Sequence, residues 1–168
     1  GLDPGPGTDI HTTPDKGYSN AYIVKLNNDG QYVWAHSFEH VSPLQYVNVL
    51  GIEINNDELF LTGNFQDTID VDFGSDQHLL SGVGSDGFFM KIDTDGNFIW
   101  AHMLGGSGKD ITPAKVIFDS ENNIIIGGHF AGLDLDFDWG PNETLRSSND
   151  IGDSDLFIFK VSSDGTFQ

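Results

Sequence analysis

One stretch of the chain, residues 91–102, reads KIDTDGNFIWAH, and close variants of it occur twice more. Residues 25–36 read KLNNDGQYVWAH, and residues 160–168 read KVSSDGTFQ. The starts of these stretches are 66 and 69 residues apart. Recurrence at such a period indicates a repeat architecture in which each copy is one supersecondary unit.

Each of these stretches predicts an antiparallel β-hairpin. Apolar residues precede an Asp-Gly pair, whose glycine adopts the positive φ of a tight turn without steric cost. After the turn, aromatic residues alternate with small or apolar ones, which is the period of two typical of a strand. The positions that define these hairpins in the three copies are Asp29, Gly30, Trp34, Asp95, Gly96, Trp100, Asp164 and Gly165.

A second hairpin precedes this one in the second and third copies. Residues 47–65 and 114–130 each hold two apolar runs around a short polar turn. Gly63, Gly127 and Gly128 fall inside these runs, where glycine usually marks a bulge or a close approach of backbone. A long connection, residues 66–86 or 131–155, then leads to the second hairpin of the copy, so each copy is expected to contain four strands.

Four-stranded antiparallel units repeated in tandem are typical of β-propeller blades. We therefore expect an all-β fold, a partial propeller of about two and a half blades. Residues 1–38 are expected to be the second half of a first blade, residues 39–104 a complete second blade, and residues 105–168 a truncated third blade. A closed propeller needs at least four blades, so we expect either a longer protein or copies that self-associate to complete the ring.

Further motifs occur at the corresponding strands and turns. They are GGSGKD at residues 105–110, the Asp119–Asn123 turn, the glycine pair after Ile124–Ile126, and SDLFIFK at residues 154–160. Together they resemble the SBBP-type β-propeller repeat family, and the resemblance covers nearly the whole chain. It implies a propeller fold in a secreted or cell-surface bacterial protein, with no catalytic residue in the repeat motif itself.

Composition excludes several classes of partner. Seven Lys and Arg against 26 Asp and Glu give a formal charge of −19, which disfavours nucleic acid and anionic membrane surfaces. Such a charge favours solubility, attracts cations and suits an extracellular or cell-surface location. No cysteine is present, so disulfides and thiolate metal sites are excluded. No apolar run approaches the roughly 20 residues that a transmembrane helix needs.

The long connections carry aspartates that alternate with apolar residues. In an extended segment such carboxylates face one side, and neighbouring carboxylates favour a hard cation such as Ca²⁺. The alternative is a solvent-facing strand edge whose charges discourage edge pairing. The candidate metal ligands are Asp70, Asp72, Asp134, Asp136 and Asp138.

The aromatic residues divide into two groups. Trp34 and Trp100, with His36 and His102, recur at fixed strand positions, which favours packing between neighbouring blades over ligand binding. Trp139 lies in a long connection and has no tryptophan counterpart in the second copy. We expect it to be exposed, and it is the candidate ligand-binding residue, for instance by stacking on a sugar.

The sequence favours a non-enzymatic, secreted or cell-surface scaffold or adhesion module, with Ca²⁺ as the candidate ion. Its expected partners are a glycan or another surface protein, and no catalytic residue is predicted. One alternative is a lectin-like propeller that binds carbohydrate through Trp139. A second alternative is a fragment of a propeller glycan hydrolase or lyase whose active-site residues lie in blades outside this sequence.

Overall fold

The computed structural model describes residues 2–3, 5–10, 19–40, 46–106, 110–149 and 153–168. These residues form β-strands, turns and irregular segments without a helix, which confirms the prediction of an all-β chain. In this part of the chain, therefore, no helix is long and apolar enough to cross a membrane. The strands are β1 (Tyr22–Leu26), β2 (Tyr32–Ser37), β3 (Glu39–His40), β4 (Val47–Asn55), β5 (Glu58–Asp70), β6 (Leu79–Asp93), β7 (Phe98–Leu104), β8 (Asp110–Phe118), β9 (Ile124–Ala131), β10 (Leu135–Asp136), β11 (Leu145–Arg146) and β12 (Asp155–Val161).

The strands form three main antiparallel sheets that follow one another along the chain. The first sheet contains β1 and β2, and the second contains β4, β5, β6 and β7 in chain order, with β3 beside the far end of β5. The third sheet contains β8, β9 and β12, and an isolated bridge pairs Val161 with Phe167. The strands β10 and β11 pair separately. The glycine-rich motif at residues 105–110 is only partly visible, because residues 107–109 lie outside the described residues.

Asp-Gly turns close the repeated hairpins. Gly30, Gly96 and Gly165 have φ values of +76°, +87° and +88°. The N–H of each glycine donates to the carbonyl oxygen three residues earlier, at 2.9, 3.1 and 2.9 Å. These turns place the strands of each hairpin side by side without steric strain at the glycine.

Glycines inside β5 and β9 permit a close approach of the neighbouring strands. A Cβ on Gly63 would lie 1.9 Å from the carbonyl oxygen of Asn48, and one on Gly128 would lie 2.1 Å from that of Thr112. The pairing register of β4 with β5 and of β8 with β9 shifts beside these glycines. The expectation of a bulge or close approach is therefore confirmed at both positions. Gly127 has no such close contact and lies beside the register shift.

The second sheet is covered on both faces. Phe88 points to one face and packs in a buried cluster with Ile23 of the first sheet and Phe38, the residue after β2. Phe89, the next residue along β6, points to the other face and packs with Val116 and Ile126 of the third sheet. Since each fully buried side chain of this size contributes about 1.5–3 kcal/mol, the two clusters hold the three sheets face to face.

Candidate functional site

The long connections form hairpin arms. The sequence predicts a long connection at residues 66–86 and at 131–155, but strand pairing continues into both. In the second copy, β5 and β6 remain paired within the connection, with Ile69 opposite Leu80. In the third copy β10 pairs with β11 in the same register. We name residues 66–82 the second-copy arm and residues 132–148 the third-copy arm.

The arm tips share one loop conformation with the start of the chain. The N–H groups of Leu2, Val71 and Phe137 each donate to the carbonyl oxygen seven residues later, at 2.7, 3.0 and 3.1 Å. An Asp follows each of these residues and a Gly comes two positions after that Asp. The Asp-x-Gly spacing at residues 3–5, 72–74 and 138–140 is the sequence signal for this loop. No common loop was predicted from this spacing.

The aspartates of the tips accept hydrogen bonds from their own loops. Oδ1 of Asp70 accepts from the backbone N–H groups two and eight residues later, at 3.1 and 3.0 Å, and Oδ1 of Asp136 does the same at 2.9 and 2.8 Å. Oδ1 of Asp72 and Oδ1 of Asp138 each accept from the N–H two residues later, at 2.8 Å. Aspartate commonly stabilises turns in this way, and the charged acceptor strengthens the bonds. One oxygen of each carboxylate is thus committed to shaping the loop.

Two aspartates at equivalent positions of the arms differ in burial. Asp70 is only 6% exposed, whereas Asp136 is exposed. Strand β3 pairs with β5 at this point, with Glu39 opposite Asp70. The alternative interpretation of these aspartates, a solvent-facing strand edge, is therefore wrong for Asp70.

Asp134 lies at the base of the third-copy arm, apart from the tip. Its N–H donates to Oγ of Ser147, at 2.9 Å. Its counterpart in the second-copy arm is Thr68, which pairs with Ser81. The five candidate metal ligands therefore do not lie together. Two are in the tip of each arm, and Asp134 is at the base of the third-copy arm.

These aspartates do not form a recognisable metal centre. Within the described ranges, no group of three or more His, Asp or Glu side chains converges in a way that could hold a metal ion. In each tip, the carboxylate oxygens that accept no hydrogen bond from the loop are fewer than the six to eight oxygen ligands that Ca²⁺ takes. Calcium binding stays a prediction.

An open, polar hollow of about 460 Å³ lies beside the second-copy arm. Its lining includes Asp70, Asp72 and Asp76 of the arm and His36 of the first sheet. The three acidic side chains make the hollow attractive to cations and unfavourable for anionic ligands. Of all the predicted site residues, only Asp70 and Asp72 are brought to this place.

A histidine between two aromatic rings joins each sheet to the next arm. The His36 ring lies 4.8 Å from Trp34 of its own sheet and 4.8 Å from Phe73 of the second-copy arm, almost parallel to Phe73 at 2°. The His102 ring lies 5.2 Å from Trp100 and 4.8 Å from Trp139 of the third-copy arm. These centroid separations are typical of favourable aromatic packing. The same three-ring stack therefore occurs at both junctions between sheets.

The turn glycine of the following sheet rests on each histidine. A Cβ on Gly96 would lie 2.3 Å from Nε2 of His36, and one on Gly165 would lie 2.9 Å from Nε2 of His102. Glycine is thus required here for space as well as for its positive φ. The Asp-Gly turn, which sequence alone explains as a hairpin turn, also contacts the preceding sheet.

Lysine and tryptophan side chains add polar contacts across the junctions. Nζ of Lys25 and Nε1 of Trp34 donate to the carbonyl oxygen of Thr94 in the next sheet, at 2.5 and 3.2 Å. Nζ of Lys91 donates to the carbonyl oxygen of Ser163, at 3.3 Å. Sequence reasoning missed these lysines, although their recurrence at the start of each repeated stretch was a usable signal.

Trp139 is half-buried, so the expectation that it is exposed is wrong. Its Nε1 donates to the carbonyl oxygen of Gly165 at 3.0 Å, and its ring also lies 4.7 Å from Phe89. Its position in the third-copy arm corresponds to that of Phe73 in the second. Most of the ring surface is therefore occupied by packing within the protein. Ligand binding by Trp139 stays a prediction.

Burial shifts the pKa values of two ionisable groups at the junctions. It lowers the pKa of His102, and the nearby His78 lowers it further. Burial raises the pKa of Asp86 on β6, against the opposing effect of the N–H of Gly106, which donates to its Oδ1. His102 is therefore favoured as a neutral ring within its aromatic stack.

No protein-family model and no curated protein matches the chain. The resemblance to the SBBP-type repeats therefore stays a prediction, as does the expected absence of catalytic residues.

Proposed function

We propose that this chain is a non-enzymatic scaffold, a partial β-propeller whose arms present loops for adhesion at the outside of a cell. One observation carries the proposal. Both junctions between consecutive sheets use the same stack of tryptophan, histidine and arm aromatic, covered by the same turn glycine. An interface that recurs between successive units supports a repeat assembly, in which each unit is stabilised by its neighbours.

The positions of the conspicuous side chains favour a scaffold over an enzyme. The tryptophans and histidines that recur in the sequence are occupied by packing between sheets. One carboxylate oxygen of each arm-tip aspartate is occupied by hydrogen bonds to its own loop. Repeat proteins bind their partners through loops that vary between copies, and the arm tips are such loops. The strongly negative charge of −19 suits an extracellular surface module and a partner that is neutral or basic.

The test combines a binding assay with a turnover assay on the same preparation. The chain is applied to a glycan array and is incubated with a panel of polysaccharides, whose cleavage is followed by new reducing ends and by the ultraviolet absorbance of unsaturated sugars. A scaffold is expected to release no product from any polysaccharide. Cleavage that scales with protein concentration would overturn the proposal in favour of a hydrolase or lyase.

The array separates the scaffold from the lectin-like alternative. Saturable binding to a defined glycan that is lost in Trp139→Ala, with Trp139→Phe as the conservative control, would favour the lectin. Binding that survives both substitutions would place the glycan elsewhere. Absence of glycan binding together with absence of cleavage is the result expected of a protein-binding scaffold.

A further inference from the structure

The hollow of about 460 Å³ beside the second-copy arm is lined by carboxylates and by aromatic rings. The carboxylates belong to Asp70, Asp72 and Asp76, and the rings belong to Phe73 of the arm and His36 of the first sheet. Among the described residues, no lysine or arginine is part of this lining. The negative charge of the three carboxylates is therefore not balanced there by a described lysine or arginine.

The buried carboxylate of Asp70 is the observation that points to a ligand. Only 6% of this residue is exposed, and its Oδ1 accepts from two N–H groups of the loop. Within the part of the chain that the structure describes, its Oδ2 accepts no hydrogen bond. A carboxylate oxygen that is withdrawn from water and lacks a donor is unfavourable. Since Asp70 lines the hollow, a cationic group placed in the hollow supplies the missing donor.

The neighbouring carboxylates supply further acceptors. Oδ1 of Asp72 accepts from the N–H of Gly74, whereas its Oδ2 and both oxygens of Asp76 accept no hydrogen bond from the described residues. One oxygen of Asp70, one of Asp72 and two of Asp76 make four carboxylate oxygens that are open to a ligand. Position 76 also distinguishes this arm, because Asn142 occupies the corresponding position of the third-copy arm.

The size and the lining of the hollow favour a guanidinium group over a metal ion. Four oxygens are fewer than the six to eight that Ca²⁺ takes, and no group of three or more His, Asp or Glu among the described residues could hold a metal ion. The volume is within the range of pockets that bind organic groups. A guanidinium presents five N–H donors in one plane and also stacks on aromatic rings, such as those of Phe73 and His36.

We propose that the hollow beside the second-copy arm binds an arginine side chain of a partner protein. The guanidinium donates to Oδ2 of Asp70 and to the carboxylates of Asp72 and Asp76. Its flat face lies against the aromatic rings that line the hollow. Lysine binds more weakly, because an ammonium group has three donors and no flat face. The formal charge of −19 speeds the approach of a basic segment. The proposal rests on the proposed function, in which the arms are the loops that contact a partner.

The probe is the peptide acetyl-Gly-Arg-Gly-amide, which is titrated into the isotope-labelled chain and followed by NMR. Physiological salt is used, because it screens the long-range attraction of the acidic surface. Saturable shifts of the amides of residues 36–37 and 70–78 are expected. A peptide with citrulline in place of arginine keeps the shape and loses the charge, so it is expected to bind at least tenfold more weakly. Shifts scattered over the acidic surface, or equal affinity for the two peptides, would overturn the proposal.

Asp70→Asn and Asp136→Asn are a matched pair of variants. Both remove one negative charge, and both keep an oxygen that can accept from the N–H groups of the loop. Asp70→Asn is expected to weaken binding of the arginine peptide at least fivefold, and Asp136→Asn less than twofold. Equal effects would assign the binding to the overall charge and overturn the proposal. If Asp70→Asn does not fold, as judged by its melting temperature, Asp76→Asn takes its place with the same expected result, because Asp76 is exposed.

Two further outcomes decide between this proposal and its alternatives. If Ca²⁺ shifts the same amides with saturation and displaces the arginine peptide, the hollow is a metal site and the proposal is overturned. Absence of arginine-peptide binding would overturn this proposal alone, since the glycan array and the turnover assay test the scaffold function separately. Cleavage of a polysaccharide by a chain that still binds the peptide would overturn the scaffold function and leave the arginine site in place.

Discussion

Replacing Gly96 with alanine tests the junction between the first and second sheets. Gly96 has a φ of +87°, and a left-handed conformation costs an L-residue roughly 1–2 kcal/mol. The new Cβ would also lie 2.3 Å from Nε2 of His36, and the ring is held at 4.8 Å by both Trp34 and Phe73. Forcing an extra carbon into such packing costs about 1–3 kcal/mol. The expected loss of stability is therefore about 2–5 kcal/mol, which lowers the melting temperature of a chain of this size by about 5–15 °C.

Gly30→Ala is the matched control for this substitution. Gly30 occupies the equivalent turn with a φ of +76°, but nothing lies within 4 Å of the position its Cβ would take. The Gly30→Ala variant is expected to lose only the stability that a left-handed conformation costs an L-residue, about 1–2 kcal/mol. The free energy of unfolding of each variant is measured by urea denaturation at constant m-value. The difference between the two values gives the cost of the contact with His36.

A double-mutant cycle with His36→Ala identifies the contact directly. If the Cβ at Gly96 meets the imidazole ring, removing that ring recovers about 1–3 kcal/mol of the loss, because the two residues couple. Equal losses in Gly96→Ala and Gly30→Ala, or a cycle without coupling energy, would refute the account of the junction.

Three other results are expected. Burial lowers the pKa of His102 in the folded chain, so the unfolded chain binds a proton at this histidine more readily. The free energy of unfolding is therefore retained above a pH of about 6.5 and falls as the pH drops below it. His102→Gln should flatten this dependence between pH 7.5 and 5, and a histidine pKa by NMR at or above the ordinary value would contradict it. Asp70→Ala should cost about 2–3 kcal/mol, because two N–H groups lose a buried charged acceptor, whereas exposed Asp136→Ala should cost less than half as much. Equal losses would show that burial is not the deciding factor. A structural calcium ion predicts a lower melting temperature after EDTA treatment, restored by added Ca²⁺, and an unchanged value would count against the ion.

Much of the fold follows from the sequence because its determinants are local. The Asp-Gly pair at Asp95 and Gly96 and the alternation after it lie within a dozen residues, and these decide a hairpin through turn geometry and the period of two. Repetition of that stretch then predicts sheets of the same kind, and the structure has them at the expected places. The arms were harder to predict, since the pairing of Ile69 with Leu80 spans a polar loop without a hairpin signal.

The candidate site was predicted in part only. The sequence identified the aspartates of the tips and the repeated tryptophans. It misjudged Asp70 and Trp139, because exposure depends on which distant segment covers a residue. Asp70 is buried at the position where β3 pairs with β5, and Trp139 is covered by a ring from the preceding sheet, His102.

The amino-acid sequence by itself determined the strands of the repeated hairpins, their turns and their repetition, since turn chemistry and alternation act between near neighbours in the chain. The tertiary structure alone decided which residues meet at the junctions. His36 contacts a turn 60 residues further on and an arm 37 residues further on. Such contacts arise from the packing of whole sheets, and no local pattern encodes the partner that will lie opposite a given ring.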